Sequence, residues 1–439
     1  MISTGFRARL AAWSGAPLGP DFQRLWAGLS VSLFGWQLTL IALPLTAVLT
    51  LGASDTQMGF LQTAGYLPAL VLTLAAGVWT DRSRRRPLLI WADLGRAAVI
   101  GLIPVAALLG VLRIELMYAV ALVIGILTVL FDTAAFSYLP SLVTRDDLMP
   151  ANSRFQFSQS LSFMVGPGLG GLLAQVLSAP FAILANVLCF LGSATGVISI
   201  RHREPEPEPP AVGRTVLGDI MEGIRFVFGN RFLRPIALEA AWFNFFGQFV
   251  ATLYVLYAAR NLGLAPVLIG ITSSCAGIGS VLGSVLVGRA SNRFGFGRVL
   301  VVTMMIGCAP FILIPLATGP TPIVVAVLIL VYVIEGIGIT ASIVQVVSLR
   351  QVVTPERLLG RMHGSYRVLT YGVLPLGALA AGLLGGALGT HTALLIGTAG
   401  IFVAPLWVIF SPVGQLAQPG DAIAAAPAGA VAEEPAGRV

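Results

Sequence analysis

The sequence predicts an all-α integral membrane protein whose twelve transmembrane helices form two pseudo-symmetric six-helix bundles. Three observations carry this prediction. Only 10% of the 439 residues are charged and 56% are hydrophobic, whereas a soluble domain averages roughly 25% charged residues. Twelve apolar runs are each long enough to cross a bilayer, and arginine is concentrated in alternate loops between them. The two halves of the chain also repeat several short patterns at a nearly constant offset.

Each predicted helix corresponds to one apolar run, because a bilayer core of about 30 Å needs about 20 residues of helix. Lipid offers the backbone no hydrogen-bond partner, so every run is expected to be helical. The runs cover residues 25–50, 57–80, 88–112, 116–139, 153–178, 180–200, 233–259, 266–289, 298–318, 321–346, 363–388 and 391–411.

The arginines of the loops predict the orientation of the chain. With the N-terminus inside, the cytoplasmic loops hold most of them, and the loop after the second run alone holds Arg82, Arg84, Arg85 and Arg86. The opposite loops hold only Arg113 and Arg260. Basic residues accumulate in cytoplasmic loops. We therefore expect a multi-pass protein of the cell (cytoplasmic) membrane with both termini in the cytoplasm.

Composition divides the chain into five parts. Residues 1–20 form a cytoplasmic tail, residues 21–200 and 232–412 form the two bundles, residues 201–231 link them, and residues 413–439 form a disordered cytoplasmic tail. The linker opens with RHREPEPEPP, whose alternating Glu and Pro resist helix formation. Ile220, Ile224 and Phe228 then share one helical face, which predicts an amphipathic helix at the cytoplasmic interface.

Internal repetition supports the two-bundle arrangement. The segment Gly77–Arg82 corresponds to Gly288–Arg293 at an offset of 211 residues, and Gly59 corresponds to Gly270 at the same offset. Such correspondence favours parallel repeats related by an axis along the membrane normal.

The loop sequence GVWTDRSRRR, from Gly77 to Arg86, resembles the GxxxDRxxRR motif of the major facilitator superfamily. The resemblance covers about residues 21–412 and is strongest to the branch of enterobactin-type siderophore exporters and macrolide-type drug exporters. It implies the major facilitator fold and a transporter, not an enzyme.

Arg84 stands where the family usually has Gly, and Asn292 stands at the acidic position of the second half. The resemblance predicts a conformational lock formed by Gly77, Asp81, Arg82, Arg85, Arg86, Gly288, Asn292 and Arg293. The alternative is that the arginines only set the topology.

The fifth helix contains Gly166-Pro167-Gly168-Leu169-Gly170-Gly171, which resembles the GPxxGG motif of drug:proton antiporters. Its motif positions are Gly166, Pro167, Gly170 and Gly171. Pro removes a backbone hydrogen bond and Gly permits bending and close packing. The motif therefore predicts a kinked helix at the interface between the bundles, and ordinary small-residue packing is the alternative.

Charged residues deep in transmembrane helices are costly, so each one is a candidate functional residue. Asp132, Glu335 and Glu239 are the candidates for proton coupling, because an acid in a low-dielectric cavity can bind and release a proton. The alternative is a structural ion pair, for instance with Arg367. Asp93 and Arg96 lie near the start of the third helix and are expected to be structural.

Polar and aromatic residues deep in the helices are the candidates for lining a substrate cavity, and they favour a bulky amphipathic substrate. They are Gln37, Tyr66, Phe136, Gln159, Asn244, Gln248, Tyr254, Gln345 and Tyr371.

Together these features predict a secondary active exporter of small amphipathic, drug- or siderophore-like molecules that works by proton antiport and alternating access. An importer of the same fold, or a non-transporting receptor or scaffold, remains open. The chain has no GxxxxGK[ST] loop, which argues against a primary pump.

We expect no cofactor and no metal, since Cys189, Cys275 and Cys308 lie inside apolar runs without ligand spacing. The expected partners are substrate, protons and the bilayer, with no nucleic acid, and the protein is expected to be a monomer.

Overall fold

The computed structural model describes residues 18–81, 83–144, 146–202, 204 and 216–424. Within that part, the side chains of residues 73–78, 80–81, 216–217, 219 and 423–424 are outside the description. Most of the predicted N-terminal tail, the Pro- and Glu-rich linker after residue 204, and the last residues of the C-terminal tail therefore lie outside the described residues.

Twelve long helical spans run through the described part of the chain, as predicted. Eleven are long and apolar enough to cross a bilayer: Pro20–Thr50, Arg85–Leu108, Ile114–Leu142, Leu148–Leu177, Ala179–Ile198, Leu233–Arg260, Pro266–Phe294, Phe296–Leu316, Thr321–Val353, Glu356–Leu388 and Thr390–Ile409. The remaining one, Asp55–Asp81, is second in chain order, and its 27 residues exceed the length that a bilayer core requires.

Prolines interrupt three spans, because each removes a backbone donor from the helical ladder. The first span is α-helical over Pro20–Leu45, which contains Pro44, and continues as a π-helix over Thr46–Thr50. The ninth passes through a 3₁₀ turn at Ala309–Ile312, which contains Pro310. The eleventh is divided into Leu359–Tyr371 and Leu374–Leu388, with Pro375 near the start of the second piece.

The two halves pack by the same rule. In the first half, the first span contacts the fifth and sixth, the second contacts the fourth, and the third contacts the fourth and sixth. In the second half, the seventh contacts the eleventh and twelfth, the eighth contacts the tenth, and the ninth contacts the tenth. The main contacts between the halves join the second span to the eleventh and the fifth to the eighth. This is the arrangement expected of two parallel repeats.

The helix Val216–Gly229, here called the linker helix, packs against Leu359–Tyr371 of the eleventh span. The Ser365 hydroxyl donates to the Ile220 carbonyl at 2.9 Å, and Arg361 pairs with Glu222. A Cβ at Gly223 would lie 2.5 Å from the carbonyl oxygen of Arg361, so only glycine permits this approach. The linker helix is thus attached to the second half.

The prediction of a disordered tail from residue 413 fails for residues 413–424. Val413 and Leu416 are buried, and Asp421–Ala424 forms a short helix. The backbone amides of Phe296 and Gly297 donate to the carbonyls of Ala417 and Leu416 at 3.0 and 2.8 Å. This segment provides partners for the amides that the start of the ninth span leaves unsatisfied.

Candidate functional site

The two ends of the helix bundle differ in the number of arginines in their loops. The Arg-poor end comprises residues 51–54, 109–113, 261–265 and 317–320 and the turns at residues 178 and 389. The Arg-rich end comprises, among the described residues, the loops at residues 83–84, 143–144, 146–147, 199–202 and 354–358.

The halves meet closely toward the Arg-poor end, through glycines. A Cβ at Gly59 would lie 2.6 Å from the Cα of Gly382, and a Cβ at Gly270 would lie 3.1 Å from the Cα of Gly171. Gly270 and Gly382 lie 211 residues after Gly59 and Gly171, respectively, so the repeat operation exchanges these two contacts. Small residues allow helix backbones in membranes to approach closely. The predicted repeat is therefore visible in the interface between the halves.

Hydrogen bonds between uncharged groups accompany the glycine contacts. The hydroxyls of Thr56 and Thr63 on the second span donate to the carbonyls of Gly382 and Pro375 on the eleventh, both at 3.3 Å. On the other side, the Gly168 amide donates to the Ser274 hydroxyl at 2.8 Å. The contact faces thus combine close fit with a few neutral hydrogen bonds.

The GPxxGG motif of the fifth span faces two neighbours at once. Gly166 and Gly170 pack on the first span, where added Cβ atoms would lie 2.4 Å from Gln37 Cβ and 2.9 Å from the Leu38 carbonyl oxygen. Gly171 faces the eighth span, where an added Cβ would lie 2.3 Å from the Pro266 carbonyl oxygen. The motif therefore lies at the junction of the two halves.

At the Arg-rich end, the described lock residues of the first half contact their own half. The Glu204 carboxylate accepts from the backbone amides of Arg85 and Arg86 at 2.7 and 3.2 Å, and it pairs with the Arg85 guanidinium at 3.3 Å. The Arg86 guanidinium donates to the carbonyls of Val197 and Ile198 at the end of the sixth span. Glu204 thus offsets the partial positive charge at the N-terminus of the third span, and Arg86 offsets the partial negative charge at the C-terminus of the sixth.

The lock residues predicted in the second half lie at the surface of the described chain. Asn292 and Arg293 are exposed, and a Cβ at Gly288 would meet no described atom within 4 Å. The side chains of Asp81 and Arg82 lie outside the described residues, as does the surrounding of Gly77, so their predicted role stays a prediction.

The three candidate acids occupy different environments. Asp132 lies past the midpoint of the fourth span and is exposed, and the cations that act electrostatically on it are Arg96 of the third span and Arg367 of the eleventh. Glu239 is buried near the start of the seventh span. Glu335 is half-buried near the middle of the tenth span, and within the described chain its Oε2 has no hydrogen-bond partner. The structure does not place either glutamate in an ion pair with a described residue.

Glu239 and Glu335 both act electrostatically on the thiol of Cys308. Cys308 itself is buried on the ninth span. Two of the three predicted acids therefore lie within electrostatic reach of one buried thiol of the second half, whereas Asp132 belongs to the first half. Among the described residues, no group of three His, Cys, Asp or Glu side chains is arranged to hold a metal ion.

The predicted cavity residues differ in how far they are exposed. Phe136, Gln159 and Tyr371 are exposed, and Tyr66 is half-buried beside Gln248. Gln37 and Gln248 are buried, and their amide oxygens have no hydrogen-bond partner in the described chain. Asn244 donates to the Thr370 carbonyl at 2.7 Å and so joins the seventh span to the eleventh.

Two of the predicted cavity residues are structural instead. Gln345 is buried and donates to Ser291 at 3.1 Å and to the Phe296 carbonyl at 3.0 Å, so its amide holds the eighth, ninth and tenth spans together. Tyr254 is buried, bonded to the Thr272 hydroxyl at 2.7 Å, and packed edge-on against Tyr332. These two residues are therefore removed from the cavity set.

Sequence reasoning missed one residue of this region. Glu204 was interpreted only as part of a Pro- and Glu-rich linker, although its carboxylate binds the loop motif. An acid shortly after the end of the sixth span was the available signal, but its partner is 119 residues away in the chain.

Comparison with known proteins now decides the family. The chain matches the major facilitator family model described as "Transmembrane secretion effector" over residues 12–434. The chain belongs to this family. The matched region includes all twelve spans and both loop motifs, so it is a multi-pass membrane transporter of the major facilitator superfamily.

Relatives of this secretion-effector family member include named efflux proteins. It is 28% identical to the multidrug efflux pump Tap of Mycolicibacterium fortuitum, over 90% of this chain and 96% of that protein. It is 25% identical to macrolide efflux protein A of Streptococcus pyogenes, over 65% of this chain and 70% of that protein.

Solved structures similar to this transporter establish its fold. A bacterial homologue of the iron transporter ferroportin, in its inward-facing state, aligns with a TM-score of 0.72 and 17% identity, over 89% of this chain and 98% of that chain. A mutant of the nucleoside transporter NupG aligns with a TM-score of 0.73 and 13% identity, over 89% of this chain and 99% of that chain. These likenesses confirm the predicted major facilitator fold.

Proposed function

We propose that this protein is a proton-driven exporter of small amphipathic molecules, drug-like in size and polarity. The names of its relatives support drug efflux, and the observation that carries the mechanism is the paired glycine contact at the Arg-poor end. Two rigid halves that are in contact at one end can rock against each other around a central site. Such rocking is the basis of alternating access.

The distribution of arginine supports an orientation for this state. If the Arg-rich end faces the cytoplasm, the glycine contacts close the outer side. The exposed Asn292 and Arg293 then belong to an open cytoplasmic side, where the lock is released. Exposed Phe136, Gln159 and Tyr371 would meet a substrate that enters from the cytoplasm or the inner leaflet.

The acids support proton coupling. Asp132 is acted on by guanidinium groups of both halves, and Glu239 and Glu335 lie inside the second half without a described cation beside them. Carboxyl groups in such positions can exchange protons as the local environment alternates between wet and dry. Outward movement of substrate with inward movement of protons would then share one pathway within a single monomer.

The experiment that tests this proposal uses the protein in its membrane. An efflux-deficient host that expresses the protein is screened for resistance to amphipathic antibiotics, macrolides included. Accumulation of the labelled antibiotic is then measured in everted vesicles with an imposed pH gradient and without ATP. We expect accumulation that an uncoupler abolishes. Accumulation in vesicles of the opposite orientation would instead indicate import, and the absence of flux in both would leave the receptor or scaffold alternative.

A further inference from the structure

The third span contains a buried ion pair that the proposed transport cycle does not yet use. Arg96 pairs with Asp93 one turn earlier and also donates to the Ser32 hydroxyl of the first span at 3.4 Å. The exposed fractions of the two charged side chains are 3% and 0%. Removing either partner would leave a buried charge uncompensated.

Two aromatic rings hold the guanidinium in place. Its Cζ lies 3.8 Å from the ring centroid of Phe131 on the fourth span and 4.4 Å from that of Phe190 on the sixth. A guanidinium plane stacks well on aromatic faces. Arg96 is therefore a direct link between the third span and the fourth.

The pair is incompletely satisfied. Across the described residues, Arg96 Nε has no hydrogen-bond partner. A guanidinium has five N–H donors, and the hydrogen bonds that Arg96 makes within the described chain all use its Nη2 atom. A buried polar group with unused donors is expensive, so Arg96 has capacity for a second acceptor.

A candidate for that acceptor is Asp132, which follows Phe131 in the chain. Its charge acts on Arg96, as does that of Asp93. The other charged group facing Asp132 from a packed or opposing element is Arg367 on the eleventh span. The second span also packs on the fourth, and its side chains at residues 73–78 and 80–81 lie outside the described part.

We propose that Arg96 is a positioning residue that is shared between Asp93 and Asp132 and thereby sets the proton affinity of Asp132. This rests on the proposed coupling role of Asp132. When Asp132 is ionised, its carboxylate attracts the guanidinium away from Asp93. When Asp132 binds a proton, Arg96 returns fully to Asp93. Because Phe131 stacks on Arg96, each proton exchange changes the packing between the third and fourth spans.

The test measures proton binding directly and needs no substrate. The purified full-length protein is reconstituted in proteoliposomes, and the infrared C=O band of protonated carboxyl groups is recorded across a pH series. Subtracting the same series for Asp132→Asn isolates the Asp132 signal from those of Glu239 and Glu335. The readout is the pH midpoint of that difference signal. If Asp93 and Arg96 formed only a structural ion pair, changing one or the other would not shift this midpoint in opposite directions.

Opposite shifts are expected from the two partners. Arg96→Gln removes the positive charge and should raise the midpoint by about one pH unit, a tenfold change in proton affinity. Asp93→Asn frees Arg96 for Asp132 and should lower the midpoint. Arg96→Lys keeps the charge and should restore most of the wild-type value. If Arg96→Gln does not fold, the double variant Asp93→Asn/Arg96→Gln, which has no unpaired buried charge, should show the raised midpoint.

The two hypotheses fail separately. If Asp132→Asn removes no titrating band and transport keeps its pH dependence, then Asp132 is not the coupling acid and the proposed function loses that residue. If the band belongs to Asp132 but the Arg96 and Asp93 variants leave its midpoint unchanged, or move it in the same direction, the sharing of Arg96 is overturned alone.

Discussion

Two pairs of charged residues within the spans differ in their partners. Asp93 and Arg96 neutralise each other, whereas Glu239 and Glu335 have no described cation beside them. Depth in an apolar run was enough to single out Asp132, Glu239 and Glu335 from the sequence. It was not enough to separate a cavity residue from a structural one such as Gln345, because a run of apolar letters does not show which face meets which neighbour.

Asp132→Asn should abolish transport driven by a pH gradient while leaving the amount and the monodispersity of the protein unchanged. The amide has the shape of the acid but cannot release a proton. The measurement is proton-driven uptake into everted vesicles over a range of pH. Glu115→Gln, which changes an exposed acid in the first turn of the same helix, is the matched control and should keep the wild-type rate. Equal rates for Asp132→Asn and wild type at every pH would refute the assignment.

Glu204→Gln should destabilise the protein by about 1 kcal/mol, the usual value of a side-chain cap at a helix start. The neutral amide accepts more weakly from the amides of Arg85 and Arg86 and loses the pairing with the Arg85 guanidinium. Thermal unfolding in detergent measures the change. Glu222→Gln removes a more exposed ion pair with Arg361 and should have the smaller effect. The reverse order of the two variants would contradict the capping role.

At the scale of single helices, the sequence located every span but not every end. The run at residues 57–80 corresponds to the helix Asp55–Asp81, whereas the run at residues 153–178 corresponds to a helix that begins earlier, at Leu148. Helices extend past the lipid into polar turns, which hydropathy does not detect. The amphipathic pattern of the linker helix was visible, but its attachment to the eleventh span was not, because that contact depends on residues more than a hundred positions away.

Gly171→Ala should weaken closure at the Arg-poor end, since the new Cβ would lie 2.3 Å from the Pro266 carbonyl oxygen and the backbone must shift. Overpacking of this kind costs about 1–3 kcal/mol, which is enough to displace a balanced two-state equilibrium. Spin-label distances between the fifth and eighth spans should lengthen on that side. Gly101→Ala, whose Cβ would meet its nearest atom at 3.7 Å, is the control. Unchanged distances in Gly171→Ala would show that the contact is not part of a gate.

At the scale of the whole molecule, the repeat offset read from the sequence reappears as a structural symmetry. Gly59 and Gly270 were paired by sequence alone, and the structure shows that each faces a glycine of the other half. The composition, the positions of the spans and the loop motif therefore sufficed for the fold. They did not reveal which end of the molecule is closed, because alternating states share one sequence and differ only in contacts between the halves.

A reversible cross-link should stop the transport cycle if the Arg-poor end must open. Thr56→Cys and Gly386→Cys place two thiols at a contact where a Cβ at Gly386 would lie 2.2 Å from Thr56 Oγ1. The background variant lacks Cys189, Cys275 and Cys308. Oxidation should abolish vesicle uptake, and reduction should restore it. Each single-cysteine variant should remain active under oxidation. If the oxidised double variant takes up substrate as fast as the same variant after reduction, alternating access at this end is excluded.

The exchange of the glycine contacts has a consequence for the origin of the molecule. Gly59 and Gly171 both belong to the first repeat, and their equivalents Gly270 and Gly382 both belong to the second. One repeat alone thus possesses both complementary surfaces of its own interface, which is the geometric condition for a two-fold homodimer. A six-helix ancestor could have assembled with an identical copy of itself before duplication and fusion of its gene made the pairing permanent.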